Sequence, residues 1–346
     1  MPELLVNGRF AHQQMTGVQR YAQEVTSRLE DRVRIVTPSG RYPGGVGHLW
    51  EQLGLPGLMG RGDLLWSPAN TGPLTVANQV VTIHDLSSLE HPEWYDRRFA
   101  AWYRFLLPRL AKRVKRIITP SRFTMERLSN LMAIPEDKII PIPEGVASHF
   151  RPAGEDEIAG VRSRNGLEAP YLLVVGSLEP RKNLQRLFQA WELVLEKEPG
   201  IELVLVGARG PVFRDSGYTR VAKGARFLER VEDADLPALY SGAQAFLYLS
   251  LYEGFGLPAL EAMACGATVI ASNNTSIPEV VGDAALLVDP CVAEGIASAI
   301  EKVLTDSTCR ADLRSKGLLR ARLFTWEQTA RRTWEVLWQA LSEQSG

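Results

Sequence analysis

The sequence is poor in several features that mark other classes of protein. Its three cysteines, Cys265, Cys291 and Cys309, are an odd number without CxxC spacing, which argues against a disulfide framework and fits a reduced, cytoplasmic setting. Its five histidines are scattered and form no metal-ligand pattern, so no bound metal is expected. The formal net charge of −1 disfavours nucleic acid as a partner.

Long apolar runs are also missing. No run approaches the roughly 18 residues of a membrane-spanning helix, and the N-terminus lacks the charged and apolar regions of a secretory signal. The sequence contains neither a P-loop nor a GxGxxG motif between a strand and a helix, so it does not indicate a nicotinamide cofactor. We therefore expect a cytoplasmic protein without a cofactor, whose contact with a membrane would be peripheral.

What is present is an alternation of short strand-like segments with longer segments of helical period. This pattern predicts an α/β fold with doubly wound parallel sheets, and a chain of 346 residues predicts two domains. The predicted strands are Glu3–Asn7, Val33–Thr37, Leu64–Ser67, Val80–His84, Arg116–Thr119, Lys138–Ile142, Tyr171–Gly176, Leu203–Gly207, Ala225–Leu228, Ala245–Leu249, Thr268–Ala271 and Ala285–Val288. The predicted helices are Gly17–Glu30, Asp96–Lys115, Arg122–Met132, Asn183–Lys197, Asp235–Ser241, Pro258–Cys265 and Val292–Leu304.

A polar stretch containing proline and glycine, Arg151–Gly166, separates the two halves. We predict a first domain over residues 1–160 and a second over residues 165–324. The last segment, Thr325–Ser342, has three tryptophans on an amphipathic pattern, which is more apolar area than a terminal tail usually hides. We predict that this segment is a helix that packs back on the first domain.

Two carboxylates flank a glycine-rich turn in the second half. Pro258 fits the first turn of a helix, so backbone amides just before it would be free to bind phosphate or sugar oxygens. These amides belong to Gly254, Phe255, Gly256 and Leu257. Glu253 and Glu261 could each accept hydrogen bonds from sugar hydroxyls. Helix capping and compensation of the helix dipole explain the same pair equally well.

A second candidate stretch follows the predicted strand that ends at Gly176. Ser177 comes next, and Arg181 and Lys182 lie just before a helix. A guanidinium fork and an ammonium are the two ways in which proteins hold phosphate oxygens, and open α/β sheets bind ligands beyond the carboxyl ends of their strands. The alternative is a solvated basic turn.

Three motifs in combination resemble the family 4 retaining glycosyltransferases. They are Gly176-Ser-Leu-Glu-Pro-Arg-Lys-Asn183, the pair Glu253 and Glu261 separated by seven residues, and Ile277-Pro-Glu-Val-Val-Gly-Asp-Ala-Ala-Leu-Leu-Val-Asp-Pro290. The resemblance covers nearly the whole chain and is most specific over Leu172–Pro290. It implies the GT-B fold, with two Rossmann-like domains facing each other across a cleft. It also implies metal-independent transfer of a hexose from a nucleoside diphosphate sugar.

The resemblance implies a role for individual residues of the second domain. Arg181 and Lys182 would hold the diphosphate, Glu253 would bind the donor sugar and Glu261 the ribose. Other residues that would contact the donor are Gly176, Ser177, Phe255, Gly256 and Leu257, with Arg230 and Val231 nearest the nucleobase. Glu229 stands where the family usually has glycine, so the choice between a GDP-linked and a UDP-linked donor stays open.

In the first domain the resemblance points to Gly17 and His84. Gly17 lies in a stretch similar to the loop that approaches the donor phosphates, although Thr16 replaces a second glycine that is frequent there. His84 ends a predicted strand and matches the active-site histidine of the family, whereas a lone histidine is more often structural. No second carboxylate is placed as a nucleophile, so our hypothesis is a front-face mechanism in which the leaving phosphate helps to deprotonate the acceptor.

The acceptor implied by the resemblance is a glycan or a lipid-linked oligosaccharide in surface polysaccharide biosynthesis. The segment 94–116, in which basic and aromatic residues are interleaved, is compatible with contact to an anionic membrane and equally with an ordinary solvated helix. Two other functions stay open. One is a nucleotide-sugar epimerase or hydrolase of the same fold, and the other is a non-enzymatic, two-lobed sugar-binding protein.

Overall fold

A computed structural model describes residues 2–13, 15–40, 45–207, 222–228 and 231–343. The chain divides into two compact units. Unit 1 comprises Met1–Glu90, Arg97–Gly145 and Thr325–Gly346, and unit 2 comprises His91–Asp96 and Val146–Phe324. Residues 146–160, which we assigned to the first domain, thus lie with the second unit.

Each unit is built on one six-stranded parallel sheet. In unit 1 the strands are β1 Leu4–Asn7, β2 Arg34–Val36, β3 Leu64–Ser67, β4 Gln79–Thr82, β5 Arg116–Thr119 and β6 Ile139–Pro141, in the order β2-β1-β3-β4-β5-β6. In unit 2 they are β7 Tyr171–Val175, β8 Glu202–Val206, β9 Ala225–Leu228, β10 Ala245–Tyr248, β11 Val269–Ser272 and β12 Ala285–Val288, in the order β12-β11-β10-β7-β8-β9. Strands β1, β3, β4 and β10 are buried along their whole length, as in sheets covered by helices on both faces.

The helices of the described residues connect these strands and cover the sheets. They are α1 Gly17–Ser27, α2 Gly45–Leu49, α3 Ser87–Glu90, α4 Arg97–Arg113, α5 Arg122–Met132, α6 Glu155–Arg164, α7 Leu184–Lys197, α8 Leu236–Gly242, α9 Leu257–Ala264, α10 Ile277–Val281, α11 Ala293–Thr305, α12 Ser307–Ala321 and α13 Trp326–Ser342. None of them is long and apolar enough to cross a lipid bilayer.

The twelve predicted strands are confirmed and differ from the observed ones by a residue or two at their ends. The polar stretch Arg151–Gly166, which we predicted to separate the two halves, contains helix α6, which was not predicted. Acidic residues fill the first turn of this helix and arginines its last turn, an arrangement that complements the helix dipole. Its apolar anchor is the buried Val161, too small a signal to give an amphipathic period. Helix α12 was not predicted either.

The C-terminal helix α13 packs within unit 1. Trp326 is buried and meets Tyr21 of α1 edge to face, with ring centroids 6.1 Å apart. Backbone also approaches closely: a Cβ at Gly145 would lie 2.2 Å from the backbone nitrogen of Trp326, so this crossing requires glycine. The Thr329 hydroxyl donates to the Pro143 carbonyl at 2.8 Å, which fixes the helix beside the end of β6.

Each sheet has one point at which the strand order reverses direction. In unit 1 the chain builds outward from β1 to β2 and then returns to the other side of β1 with β3. In unit 2 it builds outward from β7 to β9 and returns to the other side of β7 with β10. Loops leaving the two strands at such a switch point diverge, and ligands of open α/β sheets bind there.

Candidate functional site

The loop after β7 brings two cations to the switch point of unit 2. It begins at Gly176, whose φ is +151° and where a Cβ would lie 3.2 Å from the Lys182 Cε. A short 3-10 turn, Pro180–Lys182, then presents Arg181 and Lys182. The turn stops at Asn183, whose side-chain amide donates to the Pro290 carbonyl at 2.7 Å. The first and third of the sequence motifs therefore meet in space.

The loop after β10 is bonded directly to this turn. The Leu251 amide donates to the Arg181 carbonyl at 2.7 Å, and the Arg181 Nη1 donates to the Tyr252 carbonyl at 3.3 Å. The Ser276 hydroxyl lies within hydrogen-bonding distance of the Glu253 and Phe255 carbonyls, at 2.9 and 2.8 Å. Backbone bonds thus hold Glu253 against the two cations.

Four charged side chains make up what we call the ion cluster: Glu179, Arg181, Lys182 and Glu253. The Arg181 Nη1 lies 2.5 Å from the Glu253 Oε2, and the Lys182 Nζ lies 2.6 Å from the Glu253 Oε1. The Arg181 Nε lies 2.5 Å from the Glu179 Oε1. The Lys182 ammonium also stands over the ring of Tyr248, 5.1 Å from its centroid. The structure thus brings together the three residues predicted to grip the diphosphate and the sugar.

The two carboxylates of the cluster differ in their electrostatics. Burial opposes ionisation of Glu253, but Arg181 and Lys182 outweigh it and lower its pKa to about 2. Burial dominates at Glu179 and raises its pKa in spite of the same two cations. Burial also lowers the pKa of Lys182, and the neighbouring Arg181 adds to this effect. Glu253 is therefore a carboxylate at any ordinary pH, whereas Glu179 is the member of the cluster that most readily takes up a proton.

Glu179 is a member of the site that the sequence analysis missed. It stands inside the motif with Arg181 and Lys182, and its side chain is 0% exposed. Neither of its carboxylate oxygens makes a hydrogen bond of good geometry within the described part of the chain, despite the short contact to the Arg181 Nε. It lies in a turn of charged residues, and only the packing of the loops shows that its side chain is buried.

Glu261 lies in α9, the helix that follows the glycine-rich turn. Helix α9 begins at Leu257, and Gly256 caps it with a φ of +129°. Glu261 is buried, and the Tyr240 hydroxyl donates to its Oε2 at 3.3 Å. Phe255 and Leu257 are also buried. The roles given to these residues stay predictions.

The remaining residues predicted to contact the donor are distributed as follows. Ser177 lies in the loop after β7, where its carbonyl accepts from the Glu179 amide at 3.0 Å. Val231 is half-buried beyond β9, and Arg230 and Glu229 lie outside the described residues. Gly17 is the first residue of α1. Direct side-chain contacts therefore join three of the predicted residues, Arg181, Lys182 and Glu253.

His84 lies beyond the end of β4 in unit 1, and it is 5% exposed. Its Nε2 is 2.9 Å from the Pro68 carbonyl and its Nδ1 is 3.0 Å from the Glu144 Oε1. Because a carbonyl oxygen only accepts, the Nε2 donates its hydrogen to the Pro68 carbonyl. In this conformation both ring nitrogens are engaged, so a contact with a sugar would replace one of these partners. Glu144 was not predicted, because it is sixty positions away in the chain.

The switch point of unit 1 also holds a buried carboxylate that the sequence did not reveal. The Glu51 Oε1 accepts from the side-chain amide of Asn7 at 2.7 Å, from the Thr71 hydroxyl at 2.9 Å and from the Arg9 Nε at 3.2 Å. Burial opposes ionisation of Glu51, but Arg9 and the surrounding donors outweigh it and lower its pKa. The Oε1 thus has one cationic partner and two neutral donors, whereas the buried Oε2 makes no hydrogen bond among the described residues and lies 3.4 Å from the His48 Nδ1.

No group of three or more His, Cys, Asp or Glu side chains among the described residues is arranged to hold a metal ion. The fixed positive charge at the switch point of unit 2 comes instead from Arg181 and Lys182.

Comparison with protein families gives two matches. The model described as Glycosyl transferases group 1 matches residues 161–320, a range that contains the whole ion cluster. The model described as Glycosyltransferase Family 4 matches residues 63–150, which include His84 and Glu144.

Among curated proteins, the chain is similar to O-antigen chain mannosyltransferase B of Escherichia coli. The two are 36% identical over 268 residues, which cover 75% of this chain and 70% of that protein. It is also 30% identical to the serotype-specific mannosyltransferase WbdA of Escherichia coli, over 72% of this chain but 32% of that longer protein.

Among solved structures, HepE of Anabaena in complex with UDP-glucose has a TM-score of 0.75 at 17% identity, covering 98% of this chain and 100% of that one. WaaG, described as a glycosyltransferase involved in lipopolysaccharide biosynthesis, has a TM-score of 0.74 at 16% identity, covering 97% of this chain and 99% of that one. At such identities the similarity shows the fold, which is GT-B in all three proteins.

Proposed function

This chain belongs to the family 4 (group 1) glycosyltransferases, and we propose that it transfers mannose from a nucleoside diphosphate sugar to a growing surface polysaccharide, with retention of the anomeric configuration. The observation that carries the proposal is the ion cluster at the switch point of unit 2. The name of the 36% identical relative, an O-antigen chain mannosyltransferase, supports mannose as the sugar and a glycan as the acceptor.

The cluster suits a leaving diphosphate. Negative charge builds up on the diphosphate as the bond to the sugar breaks, and preorganised cations stabilise that charge without further rearrangement. Arg181 and Lys182 are adjacent: hydrogen bonds to backbone groups of the loop after β10 hold Arg181, and a side-chain bond to Glu253 holds Lys182. In our proposal the diphosphate takes over part of their hydrogen bonding, and the Glu253 oxygens become acceptors for hydroxyls of the donor sugar.

The same cations make a metal ion unnecessary in this proposal. Many enzymes of phosphate chemistry use a divalent cation to neutralise the negative charge of the leaving group. Here Arg181 and Lys182, each within 2.6 Å of the Glu253 carboxylate, would supply the positive charge. For the catalytic step we retain the front-face hypothesis, in which the leaving phosphate helps to deprotonate the acceptor hydroxyl. The contact of His84 with the donor sugar stays a prediction.

The test is a transfer assay with a fluorescent mannose oligosaccharide as acceptor. GDP-mannose and UDP-glucose are supplied separately, products are identified by mass spectrometry, and the new linkage is assigned by NMR. We expect an α-linked mannose from GDP-mannose. Consumption of donor without any acceptor would indicate the epimerase or hydrolase alternative, and binding of free sugar without nucleotide would indicate the sugar-binding alternative. Either result would overturn the proposal.

We further propose that the enzyme meets its acceptor at an anionic membrane surface through α4 and the helical turn Trp50–Gly54, which follows α2. Phe105 of α4 is 46% exposed and Leu53 is 70% exposed, and the Arg109 guanidinium stands over the Phe105 ring at 4.1 Å. A hydrogen bond of 3.2 Å from the Trp102 Nε1 to the His48 Nδ1 joins α4 to α2, and the turn Trp50–Gly54 continues directly from α2. Exposed apolar side chains beside cations are the composition of an interfacial helix.

Liposome co-sedimentation tests this contact. The variant Phe105→Ser with Leu53→Ser should lose binding to vesicles that contain anionic lipid, whereas Leu319→Ser, at a side chain that is 60% exposed in unit 2, should keep it. Equal binding by both variants would refute the contact and leave the transferase proposal intact.

A further inference from the structure

Glu179 is a buried acid that the proposed reaction does not use directly. It is fully buried, its Oε1 lies 2.5 Å from the Arg181 Nε, and it has no hydrogen bond of good geometry in the described part of the chain. A buried, ionised carboxylate of this kind depends for its charge on the cations beside it. The state of Glu179 is therefore tied to whatever else those cations bind.

The charged groups that act on Glu179 come from two loops. Arg181 and Lys182 of its own loop favour its ionised form, and Glu253 of the loop after β10 opposes it. Tyr248 of β10 also lies close, and burial raises the pKa of this phenol well above its ordinary value, so it is neutral. Two cations thus face two carboxylates, and the cluster is neutral when both carboxylates are ionised.

A diphosphate bound by Arg181 and Lys182 would change this balance. Its negative charge would lie near the two carboxylates and would interact with the same two cations. Two like charges that share a site resist joint ionisation, and the group with the weaker hold on its negative charge takes up a proton. Glu253 is held by short contacts to both cations, whereas Glu179 contacts the Arg181 Nε. Glu179 is therefore the member that would be protonated.

We infer that Glu179 takes up a proton from the solvent when the diphosphate of the donor binds, so that donor binding and protonation of this buried acid are coupled. The inference rests on the proposed donor site. Glu179 is thus a positioning residue: it holds the Arg181 guanidinium before the donor binds, and as a neutral acid it no longer competes with the diphosphate. Donor affinity should accordingly fall as the pH rises through the range in which the bound form loses this proton.

Calorimetry in buffers of different ionisation enthalpy measures the coupling. At one pH, the slope of the observed binding enthalpy against the ionisation enthalpy of the buffer gives the number of protons taken up. The ligands are GDP-mannose and UDP-glucose, since both phosphates of a nucleotide sugar are esterified and neither titrates near neutral pH. The measurement is repeated at several values between about pH 5 and 8, which brackets the raised range of a buried carboxyl.

The wild type and Glu196→Gln, a variant at an exposed glutamate of α7, should take up a fraction of one proton on binding. Glu179→Gln, which is neutral at every pH, should bind with its affinity changed by less than about tenfold and without that uptake. Unchanged uptake in Glu179→Gln would overturn the inference while leaving the donor site in place. Failure of the wild type to bind either nucleotide sugar would overturn both the donor site and the inference.

A second readout does not depend on the variant being folded. Infrared difference spectra of the wild type, recorded before and after addition of the nucleotide sugar, should show growth of the carbonyl band of a protonated carboxyl group. Labelling with ¹³C-glutamate should shift that band. Binding without such a band would contradict protonation of Glu179.

Discussion

The two sheets both place an ion-paired, buried glutamate at their switch point, and the two sites differ in what surrounds it. In unit 1, the Glu51 Oε1 accepts from Asn7, Thr71 and Arg9, whereas its buried Oε2 makes no hydrogen bond among the described residues and lies 3.4 Å from the His48 Nδ1. In unit 2, Glu253 pairs with two cations, and a second buried carboxylate stands behind them. The first arrangement sets one guanidinium and neutral donors around a single carboxylate, whereas the second places two cations between two carboxylates, where their charge can be shared with an incoming anion.

The largest expected effect separates the two sites by stability. Arg9→Ala would leave Glu51 buried without its cation, and loss of one partner of a buried ion pair costs about 3–5 kcal/mol of folding free energy. The matched control is Arg34→Ala, since Arg34 pairs with Glu3 at the surface of the same unit and exposed pairs contribute about 1 kcal/mol or less. Denaturant titration of both variants measures the difference. Equal, small losses would show that the unit 1 site is not structural.

The next effect separates the sites by activity. Arg181→Ala should lower kcat by about 10²- to 10³-fold, the usual result of removing one preorganised donor from a developing negative charge. Turnover is measured well below the melting temperature, and circular dichroism checks that the variant is folded. Lys197→Ala, at an exposed cation of the same unit, should turn over normally. Near-normal turnover by Arg181→Ala would remove the ion cluster from the reaction.

A smaller effect concerns the opposite titration of the two carboxylates of the ion cluster. The lowered pKa of Glu253, about 2, means that its contribution to stability is present above its unfolded pKa and is lost as the pH falls toward 2. The raised pKa of Glu179 has the opposite effect. Its contribution to folding stability is present below its unfolded pKa and is lost as the pH rises through its pKa in the folded protein.

The variant Glu179→Gln removes the contribution of Glu179. The melting temperature of the variant minus that of the wild type should rise by a few degrees as the pH is raised from acid to neutral, because the variant has no carboxyl group to ionise in the buried site. Thermal melts across this range measure the difference. A difference that does not change with pH would show that Glu179 has the same pKa in the folded and unfolded chain.

The smallest expected effect is that of a chelator. If Arg181 and Lys182 supply the charge that stabilises the leaving diphosphate, EDTA should change the rate of transfer by less than about twofold, and added Mg²⁺ should not raise it. The assay is the transfer reaction described above, with a metal-dependent transferase as a positive control. Loss of activity in EDTA that Mg²⁺ restores would show that the two cations are insufficient.

The sequence by itself determined the elements and the contiguous part of the site. Periodicity and punctuation by proline and glycine predicted each strand of the two sheets, because those signals are local and belong to residues that are neighbours in the chain. Arg181, Lys182 and Glu253 were found for the same reason: they stand in short motifs with a recognisable order. Helix α6 was missed, since its few apolar residues give almost no period.

Only the tertiary structure decided which partners these residues have. The sequence does not show that Glu179 is buried, because its burial results from the packing of the loops after β7 and β10. Glu144 contacts His84 although the two residues are sixty positions apart. Glu51 likewise reaches the end of β1 from a segment far along the chain. Burial and long-range pairing determine the protonation of such groups, and the local sequence determines neither of them.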